Sequence, residues 1–425
     1  MKLRRRAVCA LMAVLLALLP AGCREKGIQV VDGAGETVNL RFLGFKVGAD
    51  KVEEIEDILN RYMEQNEDVV IVYEGLGDNF VDILTNRLEN GYADDLFMIS
   101  DQALTTYETR GWYGTLIADL SEEEFVQRYS PIIRKLITVD GKISAVPMCL
   151  SVVGMLGNMD VLRACGIGEM PRTFDEWVRD MEIVRDHGYT PMVNYQGNAA
   201  SISFLMSGRS AAPFIEGART VSEGLTAEEV YSGGIRDVYA LVENGLIDRE
   251  QMSGETDARS YRKVLGEQFA GGGVAFAVAP SWSLSAFLAG EPGFQYRYAG
   301  LPVGDEGPLT CVRASVLVGV NNEGPHREEA LRFLDFLMQP EHIESYAAEQ
   351  NSLSPLQGAQ SGDPLFAEQL ALIGEDRIYS DTDSRIPFNL LKLLNGAAAQ
   401  MVRGDPLDRI LADFSAGVQA GRRPE

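Results

Sequence analysis

The chain has 425 residues, with 62 acidic against 38 basic side chains for a formal charge of −24, and is 46% hydrophobic. That balance argues against nucleic acid as a partner, since phosphate binding needs a basic face. It also argues against adhesion to anionic lipid by charge alone. The length exceeds what one core usually serves, so two domains are expected.

The chain opens with Met1-Lys2-Leu3-Arg4-Arg5-Arg6, a short basic start, followed by an almost purely apolar run from Ala7 to Leu19. Pro20-Ala21-Gly22-Cys23 comes next. A basic start, an apolar middle and small residues before a cut describe a secretory signal, and the run is shorter than the about 20 residues a membrane span needs. Small residues followed directly by Cys resemble a bacterial lipoprotein signal, although Pro20 stands where Leu is usual. That resemblance implies removal of residues 1–22, lipidation of Cys23 and attachment at the outer face of the bacterial cell membrane. Losing Lys2, Arg4, Arg5 and Arg6 takes the formal charge from −24 to −28; such acidity suits the solubility of an exposed protein. Residues 23–35, polar and Gly-containing, read as a tether between lipid and domain.

Val38 to Leu43 alternates apolar residues, as a strand does. Val52, Ile55, Ile58, Leu59 and Tyr62 fall on one helix face. Val69 to Tyr73 is a short apolar β-branched run and reads as a buried parallel strand. Phe80 to Leu88 is helical and Asp95 to Ile99 strand-like, giving a β-α-β-α-β series and a mainly parallel sheet. Helix starts with capping-box spacing occur at Ser121…Glu124, Thr173…Glu176 and Thr226…Glu229. Trp177, Met181 and Val184 share one face, which places Trp177 in a core. Val274 to Ala279, ended by Pro280, and Val316 to Val320 read as strands. Glu328 to Met338 is an amphipathic helix stopped by Pro340.

The chemistry-bearing motifs mostly do not occur. There is no G-x-x-x-x-G-K-[ST], no H-E-x-x-H and no G-x-S-x-G. Gly271-Gly272-Gly273 precedes a strand instead of opening a helix, the wrong context for a dinucleotide site. Asp381-Thr382-Asp383 begins like a calcium loop, but Arg385 sits at a ligand position and Ile386 where Gly is needed. Beyond Cys9 and Cys23, the cysteines are Cys149, Cys165 and Cys311, whose spacing selects no disulfide; buried free thiols are expected. His187, His326 and His342 are far apart in polar contexts, read as exposed, and no zinc set is visible. No cofactor and no catalytic residue are therefore expected.

Gly141-Lys142-Ile143-Ser144-Ala145-Val146-Pro147, Gly154 to Asp160 and Pro171 to Trp177 follow one another at the spacing of a known family. Ala277 to Trp282, Gly300-Leu301-Pro302 and Glu329 to Leu337 continue the series. Together, over residues 38–360, they resemble the family 1 extracellular solute-binding proteins, the carbohydrate-type receptors of ABC importers. Two departures stand out: Gly157 replaces a usual Tyr, read as a roomier cleft or a changed ligand, and Asp94-Asp95-Leu96-Phe97 stands where Pro-Asp-Val is usual.

The resemblance implies an α/β fold of two lobes, with a hinge crossed more than once and a ligand cleft between the lobes. Lobe one is expected at 36–145 plus 310–340, and lobe two at 146–305 plus 341–425. It further implies a monomeric, non-catalytic receptor that captures a sugar or oligosaccharide for ABC permease subunits. A peptide, polyamine or other solute, a sensing role, and a secreted glycan-active enzyme are the alternatives. A sugar cleft needs stacking rings together with planar donors and acceptors. Trp282 follows a buried strand and aligns with a stacking ring of relatives. Phe45 and Lys46 follow the first strand, and Asp78, Asn79 and Phe80 open the helix after the second. Asp101 follows the third strand, Asn194 and Tyr195 follow Pro191-Met192-Val193, and Trp112 lies in Gly111-Trp112-Tyr113-Gly114. Arg313 precedes a strand, where it could clamp a hydroxyl pair or carboxylate or form a hinge ion pair.

Overall fold

The computed structural model describes residues 37–421, apart from 48–51, 78, 101–102, 104–105, 109, 193–198, 217–226, 250–266, 289–291, 360–361 and 382–388. The signal, Cys23 and the tether lie outside the described residues. Val38–Glu425 is one compact unit. Among the described residues the strands are β1 (Val38–Gly44), β2 (Val69–Gly75), β3 (Leu96–Ile99), β4 (Val146–Asn158), β5 (Thr190–Met192), β6 (Val274–Pro280), β7 (Tyr296–Ala299), β8 (Thr310–Val320) and β9 (Ile378–Tyr379). They form one sheet in the order β2-β1-β3-β8-β4-β6-β5, with β7 also on β4 and β9 on β8.

The first part obeys the βαβ pattern. β1 pairs in parallel with β2 and with β3, and helices Glu53–Gln65 and Phe80–Glu89 form the crossovers. Ile55, Ile58, Leu59 and Tyr62 are the buried face of the first helix, at the spacing that a 3.6-residue period dictates. β2 departs from its expected burial. It is the edge of the sheet, so only one face is covered: Val69 and Ile71 are buried while Val72 is 53% exposed. A continuous apolar run thus marks a strand but not its place in the order.

β4 and β8 tie the sheet together. They run antiparallel from Val146 opposite Val318 to Val153 opposite Cys311. The C-terminal part of β8 also pairs with β3, and the C-terminal part of β4 pairs with β6 and β7. Buried residues gather in two clusters. One is built on β1–β3 with helices Glu53–Gln65, Arg327–Leu337 and Pro340–Glu349, and continues along one face of β6 through Ala277 and Ala279. The other holds Phe276 and Val278 from the opposite face of β6 with helices Phe174–Asp186, Ala199–Glu216, Ala227–Glu243, Leu390–Arg403 and Leu407–Gly421. Alternate residues of β6 go to opposite clusters because side chains alternate across a strand. Val316, between Leu317 opposite Pro147 and Ser315 opposite Cys149, has φ +51°. A β-branched residue is strained there, and the pairing on either side holds it.

Local signals fared unevenly. Thr173 accepts from the Glu176 amide while the Glu176 carboxylate accepts from the Thr173 amide, a complete capping box. Ser121 does not cap: its hydroxyl donates to Asp119 at 2.6 Å and accepts from the Ile143 amide at 2.9 Å, and a 3-10 turn starts only at Glu124. Thr226 lies outside the described residues. Pro340 ends one helix and opens the next, Pro340–Glu349, because its missing N–H is no loss in a first turn. That helix packs against Glu53–Gln65 and β4, and Ile343, Tyr346 and Ala347 join the first cluster. Residue 341 is therefore not where the chain leaves the first lobe's elements, which corrects the expected boundary. His342 is buried, unlike the exposed position expected: its ring packs on Phe336 at 4.4 Å and its Nδ1 lies 2.7 Å from the Phe336 carbonyl oxygen.

Candidate functional site

Strand register brings several elements to one place. β8 is buried along its length except at Arg313, Ala314 and Ser315, in its middle. Arg313 stands opposite Ser151 and Ala314 opposite Leu150 on β4. β6 ends at Pro280 opposite Val153 and runs antiparallel to β4, so Ser281 and Trp282 continue to the level of Ser151. The Ser281 hydroxyl accepts from the Val152 amide at 3.3 Å. From the other side, β1 and β3 run their C-terminal ends toward the same stretch, with Leu43 level with Phe97 and Ile99 opposite Leu317.

On the β8 side the site is a charged cluster among aromatic rings. Arg313 donates twice to Asp381, from Nε at 2.8 Å and from Nη2 at 2.6 Å. The arginine side chain is 11% exposed and the aspartate 0%. The guanidinium lies over Phe204 at 4.9 Å and over Trp282 at 5.6 Å from the ring centroids. The two rings meet edge to face at 6.5 Å, and Trp282 is half-buried. Asp381 is held from a second direction by the Cys311 thiol, 3.7 Å away. Burial and then the neighbouring Asp381 carboxylate push the Cys311 thiol well above its ordinary pKa, so it remains an S–H donor. β9 completes the support: the Tyr379 hydroxyl donates to the Phe204 carbonyl at 2.7 Å.

On the β1 side Phe45 is half-buried and meets the buried Phe80 edge to face at 5.3 Å. Lys46 lies over the Phe45 ring at 5.7 Å and donates to the Gln350 side chain at 2.8 Å. Gln350 stands three residues before Leu353, which pairs with Leu150 on β4. The Tyr73 hydroxyl donates to the Lys46 carbonyl at 2.9 Å. Gly44 permits this approach: a Cβ there would lie 2.2 Å from that hydroxyl oxygen.

The remaining sequence candidates scatter. Trp112 is buried in the first cluster, stacked on Tyr107 at 5.0 Å with the Arg110 guanidinium over it. Asn79 is exposed, with φ +60°, at the start of helix Phe80–Glu89. Asp78, Asp101, Asn194 and Tyr195 lie outside the described residues. The structure thus joins Trp282 to Arg313 and Phe45 to Lys46 and Phe80. Asp381 and Phe204 were missed as site residues. Asp381 lies 68 positions from Arg313, and no local pattern announces the pair.

Gly157 does not open a cleft. It pairs with Phe276 and Arg297 near the far end of β4, and a Cβ on it would lie 2.1 Å from the Met170 sulfur. The buried Met170 occupies the space a side chain at Gly157 would need. Asp94 and Asp95 are structural: Asp94 takes Arg87 at 2.6 Å and Asp95 accepts from the Arg41 amide at 2.9 Å. An open, polar groove of about 410 Å³ lies at that same far end, lined by residues including Met159, Arg163, Phe294 and Tyr296. Cys149, Cys165 and Cys311 are free and buried. Among the described residues no group of three metal-ligating side chains occurs, and no helix is long and apolar enough to cross a membrane.

Residues 48–343, well over half of the chain, match the family model for bacterial extracellular solute-binding proteins. The chain belongs to that family. An uncharacterised lipoprotein of Streptomyces antibioticus, from the oleD 5′ region, is 25% identical over 353 residues, covering 80% of this chain and 74% of the relative. Among solved structures, apo RafE from Streptococcus pneumoniae superposes with a TM-score of 0.73 at 17% identity, covering 92% of this chain and 100% of RafE. A family 1 extracellular solute-binding protein from Bifidobacterium longum subsp. infantis gives 0.73 at 15%, covering 91% and 100%. The fold is the two-lobed α/β fold of these proteins, and the protein is an extracytoplasmic solute-binding protein.

Proposed function

We propose that this solute-binding protein captures a neutral sugar or short oligosaccharide between its lobes and hands it to an ABC permease. The observation that carries the reading is Trp282, a half-buried ring at the partly exposed middle of β8, beside an arginine whose charge is already matched by Asp381. A pyranose offers an apolar face to such a ring and no charge to pair with the guanidinium. Neighbours of the same fold support the ligand class: RafE was solved in complex with raffinose, and a sugar transporter protein of Bacillus licheniformis with stachyose. The hinge in this reading is the β4–β8 ribbon, with ligand favouring the closed state because only that state contacts it from both sides. Cys23 carries the lipid that holds the monomer at the membrane, and the protein performs no chemistry on its ligand.

The test is a thermal-shift screen of the secreted protein against oligosaccharides, amino acids, peptides and polyamines. Ligand that binds only the folded state adds RT ln(1 + [L]/Kd), about 2.7 kcal/mol at a hundredfold excess over Kd. A shift with one glycan class, lost in Trp282→Ala and without product formation, is expected. Silence across sugars with a shift from a peptide or polyamine sinks the carbohydrate reading and leaves the fold untouched. Mass spectrometry of the membrane-extracted protein checks the anchor: acylated Cys23 as the first residue is expected, and an unmodified chain beginning elsewhere refutes it.

A further inference from the structure

We propose that Asp381 is a specificity-determining positioning residue: acting through Arg313, it fixes the pose of the Trp282 ring and keeps the site electrically balanced. This inference rests on the sugar-binding reading for its ligand class, but not for its geometry. A guanidinium left alone beside Trp282 and Phe204 would have many orientations and would attract any anion. The two-point hydrogen bond to a fully buried carboxylate removes both freedoms, because a planar fork meeting a planar carboxylate admits one relative orientation. The plane so fixed is the surface that Trp282 and Phe204 pack against. The carboxylate is itself anchored by the Cys311 thiol, and Phe204 by the Tyr379 hydroxyl, both from the adjoining β8–β9 pair. Asp381 need not touch ligand to decide what binds.

The ligand-free test is fluorine NMR of protein labelled with 5-fluorotryptophan, which carries three tryptophans, Trp112, Trp177 and Trp282. Trp282→Phe assigns the Trp282 signal. Asp381→Asn is expected to shift or broaden that signal and leave the signals of Trp112 and Trp177 in place. Arg313→Lys is expected to do the same, since lysine keeps the charge but not the planar surface, and it serves where Asp381→Asn does not fold. A Trp282 signal unchanged in the folded variants overturns the proposal. The ligand arm titrates raffinose and trigalacturonate into both proteins. Asp381→Asn is expected to weaken raffinose binding at least tenfold and to raise the trigalacturonate-to-raffinose affinity ratio at least tenfold. An unchanged ratio overturns the charge-balancing role. If the original protein ignores all sugars while the Trp282 signal still moves in the variants, the sugar reading falls and the positioning role stands.

Discussion

Two aromatic clusters border the middle of β4 and β8, and each keeps a cation beside its rings in a different way. On the β1 side, Lys46 is half-buried and rests on a neutral amide, Gln350. On the β8 side, Arg313 is nearly enclosed and is matched by a carboxylate with no exposure. A partly solvated ammonium needs only a modest partner, whereas an enclosed guanidinium needs a full counter-charge or its desolvation goes unrepaid. The difference teaches where a substitution will hurt the fold and where it will alter binding alone.

Asp381→Ala is the most severe way to break the comparison. It leaves Arg313 enclosed without its counter-charge, and the loss of stability expected is about 3–5 kcal/mol, read from the urea unfolding midpoint. Replacing both partners, Asp381→Leu with Arg313→Met, is expected to recover most of that loss. A double variant as unstable as the single one would show that packing, not charge, dominates there.

Asp180 sharpens the contrast from a third position. It is a buried carboxylate on helix Phe174–Asp186 whose pKa is pushed up to about 6, chiefly by burial and further by Glu176, with Arg179 opposing. A folded acid whose pKa lies above its unfolded value of 3.8 binds its proton more tightly when folded. Stability contributed by the protonated form is then present below about pH 4 and is lost as pH rises toward 6. Asp180→Asn is expected to stabilise the protein by about 1–3 kcal/mol at pH 7.5 and by little at pH 4. Equal effects at both pH values would refute the titration argument.

Gly44→Ala probes the β1 side through its backbone. The added Cβ meets the Tyr73 ring and hydroxyl, so about 1–3 kcal/mol of destabilisation is expected in thermal unfolding. Combining it with Tyr73→Ala relieves the clash, and the double variant should be less unstable than the two losses added together.

Most of the fold was legible because it rests on local periodicity. The βαβ series, the Thr173 capping box and the core position of Trp177 follow from spacing that any reader of the sequence can count. Strand order is not local, which is why β2 looked central and is an edge. Nor does Pro340 announce whether a chain turns away or begins another helix beside the first. At the site, Trp282 and Arg313 were singled out from their places at strand ends, but their relation was not. It depends on Asp381, which in sequence looked only like a failed calcium loop, and on Phe204 from a distant helix. The Gly157 departure misled for the same reason: Met170, thirteen residues on, fills the space.

Lys46→Met is the mildest change and the one that separates stability from binding. Methionine keeps the apolar stem against Phe45 and removes the ammonium that donates to Gln350. Gln350 is buried, so its oxygen loses a partner, yet its Nε2 still donates to Glu349 at 3.0 Å. One neutral acceptor left short costs about 1 kcal/mol, well below the loss expected at Asp381. Because no buried counter-charge is stranded, that cost should scarcely change between 50 mM and 500 mM salt when read by urea unfolding. A loss as large as that of Asp381→Ala would mean that the β1 side also depends on a buried charge, and the contrast between the two clusters would fall.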